Sequence, residues 1–293
     1  MAVVVTPSEA RGRGEARDKS TVMDAMHDEL VRSMMELKLD GLATPYHIEY
    51  TLTKRSRVAA HAILGIVDDI DTGRTATLTV KVRVGTPKFD NTNFFDVSLG
   101  FFGSSDDEEA FRNRRIPLDI SYEALRRELW LATDACYKQA VEVYAKKSAV
   151  VKNRTRTDTT WDFAFMPGYV SEYLSQASIS TNIDHVRSLV ERVSAAFRTS
   201  THVHASRVGM EFVPEETFYV NSEGRRAHKI ECFTGIEIVA VTQAADGMPL
   251  TKSFASYATS PNDLPSADSL VRAAQYISDQ LKIAQEAQTI EPY

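Results

Sequence analysis

Cysteine is scarce in this sequence. Two of the 293 residues are cysteines, Cys136 and Cys232, and they lie far apart on predicted apolar faces. Buried thiols in a reducing compartment therefore fit better than a disulfide framework. No apolar run approaches the ~20 residues of a membrane span, and the apolar run at the start is too short for a signal peptide. We therefore predict a cytoplasmic protein; an export signal hidden by a mis-assigned start codon is the alternative.

An excess of positive charge is also missing. The chain has 34 Lys and Arg against 40 Asp and Glu, a net charge of -6. A nucleic-acid-binding protein needs a dominant basic face, so this balance argues against nucleic acid as a partner. The 43% hydrophobic and 25% charged residues are typical of an ordinary globular protein, and the length allows a sizeable core.

The pattern that is present is mainly that of β-strands. Residues 217–258 predict an antiparallel meander with turns at 221–224 and 245–247, and its middle strand carries an apolar face of Ile230, Cys232, Ile236, Ile238 and Ala240. Three earlier strands are predicted near 46–53, 58–66 and 75–84. In the third, Ala76, Leu78, Val80, Val82 and Val84 alternate with Thr75, Thr77, Thr79, Lys81 and Arg83. We expect Glu49, Thr51 and Thr53 to share that polar face, which we predict to be solvated or to bind a peptide or a second domain.

Four amphipathic helices are predicted between and after these strands. The first begins near Ser20 or Thr21, after a disordered tail over residues 1–19. The second is capped by Ser121, with Lys146 and Lys147 near its end complementing the helix dipole. The third covers residues 180–198 and the fourth begins near Ser266. The predicted fold class is therefore α+β: a long, mostly antiparallel β-sheet with amphipathic helices covering one face.

Three short segments raise the question of a functional site. The run Asp69-Ile70-Asp71-Thr72-Gly73 lacks the further ligands of a calcium loop, so a plain turn is favoured over a calcium site. His202 and His204 would share one face of a strand as a metal pair, but no third ligand has a recognisable spacing to them. Trp161, Phe163, Phe165 and Tyr169 form an aromatic cluster, which is more often a loop packed over the core than a recognition surface.

Residues 94–115 are interpreted as a loop, and Pro214 is expected to end the strand that follows His204.

Three blocks of the sequence resemble the long forms of the TldD/PmbA family, also called modulators of DNA gyrase. The first is Arg83-Val84-Gly85 with Asp90-Asn91-Thr92-Asn93-Phe94, the second is residues 118–147, and the third is Val220-Asn221-Ser222-Glu223-Gly224. The resemblance covers the N-terminal domain of that family, here residues 20–288, and residues 289–293 resemble the start of the linker to a C-terminal domain. Catalytic members of the family are zinc metalloproteases, and the resemblance implies that the N-terminal domain forms one wall of the substrate cleft.

The family's metal motif, His-Glu-x-x-x-His in the C-terminal domain, is absent. The chain contains seven histidines, none of which is followed by glutamate: His27, His47, His61, His185, His202, His204 and His228. No catalytic, cofactor-binding or metal-binding residue is therefore carried over, and the resemblance implies zinc only in a C-terminal domain or a partner subunit. Whether the chain is an enzyme stays open, and we expect it to be inactive alone.

Three functions are compatible with these sequence features. The leading hypothesis is a non-catalytic N-terminal domain of a TldD/PmbA-type protein. It would help to bind unfolded or extended peptide and a partner subunit, in a homo- or heterodimer. The alternative is a free-standing peptide- or protein-binding adaptor domain that has no protease half. The weakest hypothesis is an enzyme that uses a metal bound by His202 and His204.

Overall fold

The structure is a computed structural model that describes residues 7–94, 113–152, 160–166, 169–174 and 183–287, with the side chains of 7–20 and 171–174 excepted. The fold is α+β, as predicted. The described helices are α1 (Pro7–Glu36), α2 (Tyr122–Lys152), α3 (Ile183–Ser194) and α4 (Ala267–Gln285), with short 3-10 helices at Ala195–Thr199 and Pro261–Asp263. The described strands are β1 (Pro45–Ile63), β2 (Ile66–Thr86), β3 (Phe89–Asp90), β4 (Asn113–Ile116), β5 (Val170–Leu174), β6 (Ala205–Asn221), β7 (Arg226–Gln243) and β8 (Pro249–Ala258).

The described strands form one sheet in the order β3-β2-β1-β6-β7-β5, with β4 added to β2 and β8 added to β7. The pairs β2–β3, β2–β4 and β7–β8 are antiparallel. The predicted meander is confirmed, since β6, β7 and β8 follow one another through turns at Gly224 and Gly247, both with positive φ. On β7, Ile230, Cys232, Ile236, Ile238 and Ala240 are all buried, which confirms their predicted shared face.

The first two predicted strands are one continuous strand, β1, and the next strand begins earlier than predicted. The turn between β1 and β2 lies at Leu64 and Gly65, with φ of 49° and 75°. Positive φ at both central residues is the geometry that matches the twist of a two-residue hairpin. Residues 69–73 consequently lie inside β2, so both the plain-turn and the calcium-loop interpretations are wrong.

Cross-strand ion pairs involve Asp71 of this run and the preceding Asp68. Asp71 pairs with Arg57, which also lies 2.6 Å from Glu211, and Asp68 lies 3.7 Å from Arg207. The arginines come from β1 and β6, so Asp68 and Asp71 each have a counter-charge on another strand. The sequence of residues 69–73 alone does not reveal partners on other strands.

The backbone divides into two compact units. Unit 1 comprises Met1–Lys54, Thr75–Leu174 and Glu216–Lys229, and unit 2 comprises Arg55–Arg74, Ser175–Glu215 and Ile230–Tyr293. Four strands, β1, β2, β6 and β7, contribute residues to both. Whether residues 20–288 behave as one domain stays a prediction.

In unit 1, helices α1 and α2 cover one face of the sheet. Their apolar stripes bury Met26, Leu125 and Leu129 against strand residues such as Tyr50 and Leu78, all at 1% exposure or less. Ser121 caps α2 as predicted, accepting a hydrogen bond of 3.3 Å from the backbone N–H of Ala124. The predicted alternation on β2 is also confirmed, with five buried residues from Ala76 to Val84.

In unit 2, helices α3 and α4 and the 3-10 helix Ala195–Thr199 cover one face. Val190, Phe197, Leu270 and Leu281 are each at most 2% exposed and pack in the same core cluster. Ser266 caps α4, as predicted, through its side chain and the backbone N–H of Ser269.

Helix α1 begins at Pro7 rather than at Ser20 or Thr21. The prediction of a disordered tail over residues 1–19 is therefore wrong from Pro7 onward, and residues 1–6 lie outside the described residues. Proline is favoured at the first helical position, and residues 8–19 are rich in Glu, Ala and Arg, which are strong helix formers. Residues 289–293, the predicted linker start, also lie outside the described residues.

Two strand boundaries differ from the prediction. Pro214 does not end its strand, because β6 runs to Asn221 and keeps alternate residues such as Phe212 and Phe218 buried. That side-chain burial outweighs the single backbone N–H that proline lacks. Residues 113–115, expected to be loop, belong to β4, which pairs with Ala76–Thr79 of β2. None of the described helices is long and apolar enough to cross a membrane.

Candidate functional site

The predicted polar face of β2 is present in unit 1 and centres on Glu49. The Lys81 ammonium, on a side chain that is 66% exposed, lies 2.7 Å from Glu49 Oε1. Glu49 Oε2 accepts a hydrogen bond of 3.0 Å from the Tyr219 hydroxyl and lies 3.6 Å from His47 Nε2. The interaction with His47, assisted by Lys81 and Tyr219, outweighs burial and lowers the pKa of Glu49 to about 2. Burial next to this carboxylate raises the pKa of Tyr219 to about 12.

The turn between β6 and β7 completes this network. Asn221 Oδ1 accepts hydrogen bonds from the backbone N–H groups of Glu223 and Arg225, and Asn221 Nδ2 donates to the Tyr219 hydroxyl at 3.2 Å. An asparagine side chain that bonds nearby backbone groups fixes a tight turn. Gly224 takes a φ of 82° within it, a conformation that glycine adopts without a Cβ clash.

Ser222 ties the same turn to β1. Its backbone N–H donates to the carbonyl of Ile48, and its hydroxyl accepts from the N–H of Ile48, at 2.9 and 3.1 Å. The hydroxyl also lies 3.4 Å from His47 Nδ1. The block 220–224 is thus joined to the Glu49 network twice, through Asn221 to Tyr219 and through Ser222 to His47.

A second polar network surrounds Asp90, whose side chain is fully buried. Its Oδ2 accepts from Arg83 at 2.9 Å and from the Tyr46 hydroxyl at 2.7 Å, and its Oδ1 accepts from the hydroxyl and N–H of Thr92. Burial is the largest single effect and raises the pKa of Asp90, but these hydrogen bonds together lower it below its ordinary value. Burial and the Asp90 carboxylate raise the pKa of Tyr46.

The structure also accounts for Gly85 and Asn91, two further residues of the first sequence block. Gly85 has a φ of 101°, and a Cβ there would lie 2.5 Å from the Tyr144 ring and 2.7 Å from the carbonyl of Phe89. Asn91 accepts from the N–H of Val84 and donates to the carbonyl of Val82. Its amide therefore caps the edge of β2 between the pairings with β4 and β3, beside a cavity of about 480 Å³ that it helps to line.

Lys147 connects helix α2 to this network. Its ammonium lies 2.6 Å from both Asp162 Oδ2 and the carbonyl of Thr92, and 4.7 Å from the centre of the Phe89 ring. The Lys147 and Asp162 side chains are 5% and 4% exposed. The prediction that Lys147 complements the helix dipole is wrong, because α2 continues to Lys152 and Lys147 faces inward.

The predicted aromatic cluster lies over both networks. Phe163 contacts Tyr46 and His47, with ring centres 6.1 and 4.7 Å apart, and the Arg83 guanidinium lies 4.5 Å from the centre of its ring. The backbone N–H of Phe163 donates to the carbonyl of Pro87 at 2.9 Å. Phe163 therefore behaves as expected for a loop residue packed over the core.

Several residues close to Phe163 in sequence are exposed instead of packed over the core. A row of large apolar side chains, which we name the aromatic ridge, is 54–72% exposed: Trp161, Phe165, Met166, Tyr169 and Val170. The intervening residues 167 and 168 lie outside the described residues. The ridge therefore combines an anchored backbone with outward-facing rings.

The other candidate residues do not assemble into a site. His202 precedes β6 rather than lying in a strand, and its Nε2 lies 2.8 Å from the carbonyl of Ser278. His204 is exposed. Across residues 21–94, 113–152, 160–166, 169–170 and 183–287, no group of three His, Cys, Asp or Glu side chains is placed to hold a metal ion. Cys136 and Cys232 are buried and are not joined in a disulfide, as predicted.

Comparison with known proteins shows which solved structures share this fold. No family model and no curated protein matches the chain. Among solved structures, it resembles a proposed modulator of a DNA gyrase from Thermotoga maritima (TM-score 0.51, 12% identity), covering 92% of this chain and 49% of that one. It also resembles TldE from Thermococcus kodakarensis (TM-score 0.51, 14% identity), over 87% of this chain and 47% of TldE.

A proposed modulator of DNA gyrase from Bacteroides thetaiotaomicron matches 97% of this chain and 50% of its own length, with a TM-score of 0.50 and 9% identity. The chain therefore spans about half the length of the structures it resembles. At these identities the likeness shows the fold, and it is the fold of the proteins that the sequence blocks resemble.

Proposed function

We propose that this chain, which has the fold of the gyrase-modulator and TldE structures, is a non-catalytic domain that binds unfolded or extended polypeptide. We further propose that it acts with a partner subunit of the TldD/PmbA type in proteolysis. The role comes from the resemblance of the three sequence blocks, and the fold likeness supports it. The activity would reside in a C-terminal domain or in the partner.

One observation carries the proposal. The three blocks are far apart in sequence, yet in unit 1 they are linked beneath the segment that carries Phe163. Lys147 of the second block contacts Thr92 of the first. Phe163 contacts Arg83 of the first block and also His47, which lies 3.4 Å from Ser222 of the third. Arg83 and Asp90 belong to the first block, Lys147 ends the second, and Asn221 and Ser222 belong to the third. The three blocks thus support one exposed segment from beneath, and a binding surface depends on such support.

The chemistry of this surface suits recognition of a polypeptide in general rather than of one side chain. The Glu49 and Asp90 networks satisfy most of their own hydrogen bonds and so form a stiff platform. What faces outward is a set of apolar rings and the threonine-bearing face of β2. Apolar side chains that are buried in a folded protein become available to such rings only when that protein is unfolded.

The direct test is binding of a permanently unfolded protein to the full chain. A labelled, reduced and carboxymethylated protein is titrated with the chain and followed by fluorescence anisotropy, and the native form of the same protein is the matched control. We expect saturable binding of the unfolded form only. Equal binding of both forms, or of neither, would contradict the proposal.

The partner subunit is tested separately, by mixing the chain with a metal-loaded TldD-type catalytic subunit and measuring the mass of the complex by light scattering. We expect a stable complex. Binding of unfolded protein without any such complex would favour the free-standing adaptor instead.

We also propose that the chain itself holds no zinc and that zinc belongs to a C-terminal domain or the partner. Metal analysis after dialysis should find less than one zinc per chain. One zinc per chain that is lost on changing His202→Ala and His204→Ala together would overturn this. A cytoplasmic location is proposed as well, because buried thiols such as those of Cys136 and Cys232 suit a reducing compartment.

A further inference from the structure

We propose that the aromatic ridge is the docking surface for an acidic polypeptide segment that carries aromatic or large apolar side chains. This inference rests on the proposed function and adds to it the chemical class of the polypeptide and the residues that read it. The exposure of the ridge, its anchoring and the charges beside it each support this assignment.

The exposure of the ridge is concentrated within ten residues of sequence. Single exposed apolar residues are normal on protein surfaces, whereas contiguous exposed apolar side chains mark interaction surfaces. The side chains of Trp161, Phe165 and Tyr169 are 54%, 58% and 54% exposed. Aromatic residues at such positions are also the ones that dominate binding energies at interfaces.

The ridge is anchored by bonds to unit 1. The N–H of Phe163 donates to Pro87, the carbonyl of Tyr169 accepts from the N–H of Arg226 at 3.0 Å, and Asp162 is held by Lys147. The backbone beneath the rings is thus fixed before a ligand arrives. A preorganised surface loses less conformational entropy on binding, so more of its contact energy is expressed as affinity.

The charges that touch these rings are positive. The Lys88 ammonium lies 5.2 Å from the Trp161 ring centre, and the Arg225 guanidinium lies 5.4 Å from that of Tyr169. Lys88 is exposed, whereas Arg225 is 18% exposed and lies 3.8 Å from the Glu223 carboxylate. The nearby carboxylates of Asp90, Asp162 and Glu223 are 0%, 4% and 10% exposed, and each is paired with a cation. Although the whole chain carries a net charge of -6, the ridge attracts anionic groups.

A polypeptide satisfies this surface better than a nucleic acid does. Rings with nearby cations also bind single-stranded nucleic acid, but that mode needs a groove of many cations along the phosphates. Two cations lie beside the exposed rings of the described ridge, and one of them, Arg225, is already paired with Glu223. A peptide that alternates carboxylates with apolar side chains supplies a counter-charge for the exposed Lys88 and apolar groups that pack on the exposed rings.

The test uses the full chain and three labelled synthetic peptides, compared by fluorescence anisotropy at low ionic strength. The first alternates glutamate and phenylalanine, the second has lysine in place of glutamate, and the third has alanine in place of phenylalanine. A single-stranded oligothymidine is the fourth probe. We expect the first to bind at least tenfold more tightly than the others and to weaken as salt is added.

Variants then locate the site. Trp161→Ala should weaken binding of the glutamate–phenylalanine peptide about tenfold, the loss expected for an interface anchor. Lys88→Glu should weaken it similarly and improve binding of the lysine peptide, a gain that a misfolded variant cannot produce. The matched controls are Tyr276→Ala on α4, where the tyrosine is 64% exposed, and Lys252→Glu on β8, and neither should matter.

Each outcome has a separate meaning. Unfolded protein can bind while the glutamate and lysine peptides bind equally well and the ridge variants leave peptide affinity unchanged. That result refutes the docking surface, and the proposed function stands. Tighter binding of the oligothymidine than of any peptide also refutes it. If neither unfolded protein nor any peptide binds, the proposed function itself fails.

Discussion

Replacing Lys147 by methionine is the sharpest perturbation of the candidate site, because it removes one charge from a buried ion pair and keeps the length of the side chain. The ammonium lies 2.6 Å from Asp162, and both side chains are at most 5% exposed. Removing one partner of such a pair leaves the other charge buried and costs about 3–5 kcal/mol. Asp162 keeps hydrogen bonds from the N–H of Asp90 and from Asn93, so we expect a loss near the lower end of that range, about 3 kcal/mol.

The matched control is Lys138→Met on the same helix. Lys138 lies 2.7 Å from Asp134, one helical turn away, but its side chain is 60% exposed. Exposed pairs at this spacing contribute about 0.3–0.5 kcal/mol. The two variants therefore remove the same charge from the same helix and differ in burial.

The assay is urea unfolding at neutral pH, followed by circular dichroism. Lys147→Met should lower the free energy of unfolding by about 3 kcal/mol and Lys138→Met by less than ~0.5 kcal/mol. Adding Asp162→Asn to Lys147→Met should recover part of the loss, because no unpaired charge then remains. Equal losses for the two lysine variants, or no recovery in the double variant, would refute the buried pair.

Three further predictions concern single residues. Because the pKa of Glu49 is lowered to about 2 from an ordinary value near 4.5, its ionisation stabilises the fold above pH ~4.5 and this contribution is lost as pH falls towards 2. The shift corresponds to at most about 3 kcal/mol; its side chain is 18% exposed, and solvent screening reduces this to ~1–2 kcal/mol. Glu49→Gln should reduce the dependence of the free energy of unfolding on pH over that range, and an unchanged pH dependence would refute the network. Cys136, 7% exposed, should react with a thiol reagent only after urea is added, and Cys136→Asp should cost about 3–5 kcal/mol; rapid native labelling would contradict its burial. Gly85→Ala should cost at least ~1–2 kcal/mol because of its positive φ, whereas Gly73→Ala on the same strand, with nothing within 4 Å, should change stability by less than ~0.5 kcal/mol in urea unfolding; equal effects would contradict the close approach at Gly85.

Periodicity predicted the elements well where one face is buried. The alternation from Ala76 to Val84 and the stripes of α2 and α4 were all readable, because burial of one face imposes a period of two or of 3.6 on the sequence. Boundaries were less predictable. Asp69 to Gly73 has the composition of a turn, yet it lies inside β2, where Asp71 pairs with Arg57 of β1.

The candidate site was predictable only in pieces. The turn at 221–224 and the aromatic cluster were visible, but nothing in the sequence joins them to Lys147 or Asp90. A lysine near a helix end is normally solvated, and its burial here depends on a chain segment that returns from elsewhere in unit 1. Such long-range pairs are set by tertiary packing, which local pattern does not encode.

The central claim is that unfolded polypeptide binds at the surface where the three blocks meet. Hydrogen exchange measures this directly, with the full chain compared alone and saturated with the carboxymethylated protein. We predict new protection of backbone amides in residues 160–166 and 219–226, with little change in α4 and β8. Protection confined to α4 or β8, with residues 160–166 exchanging as in the free chain, would contradict it.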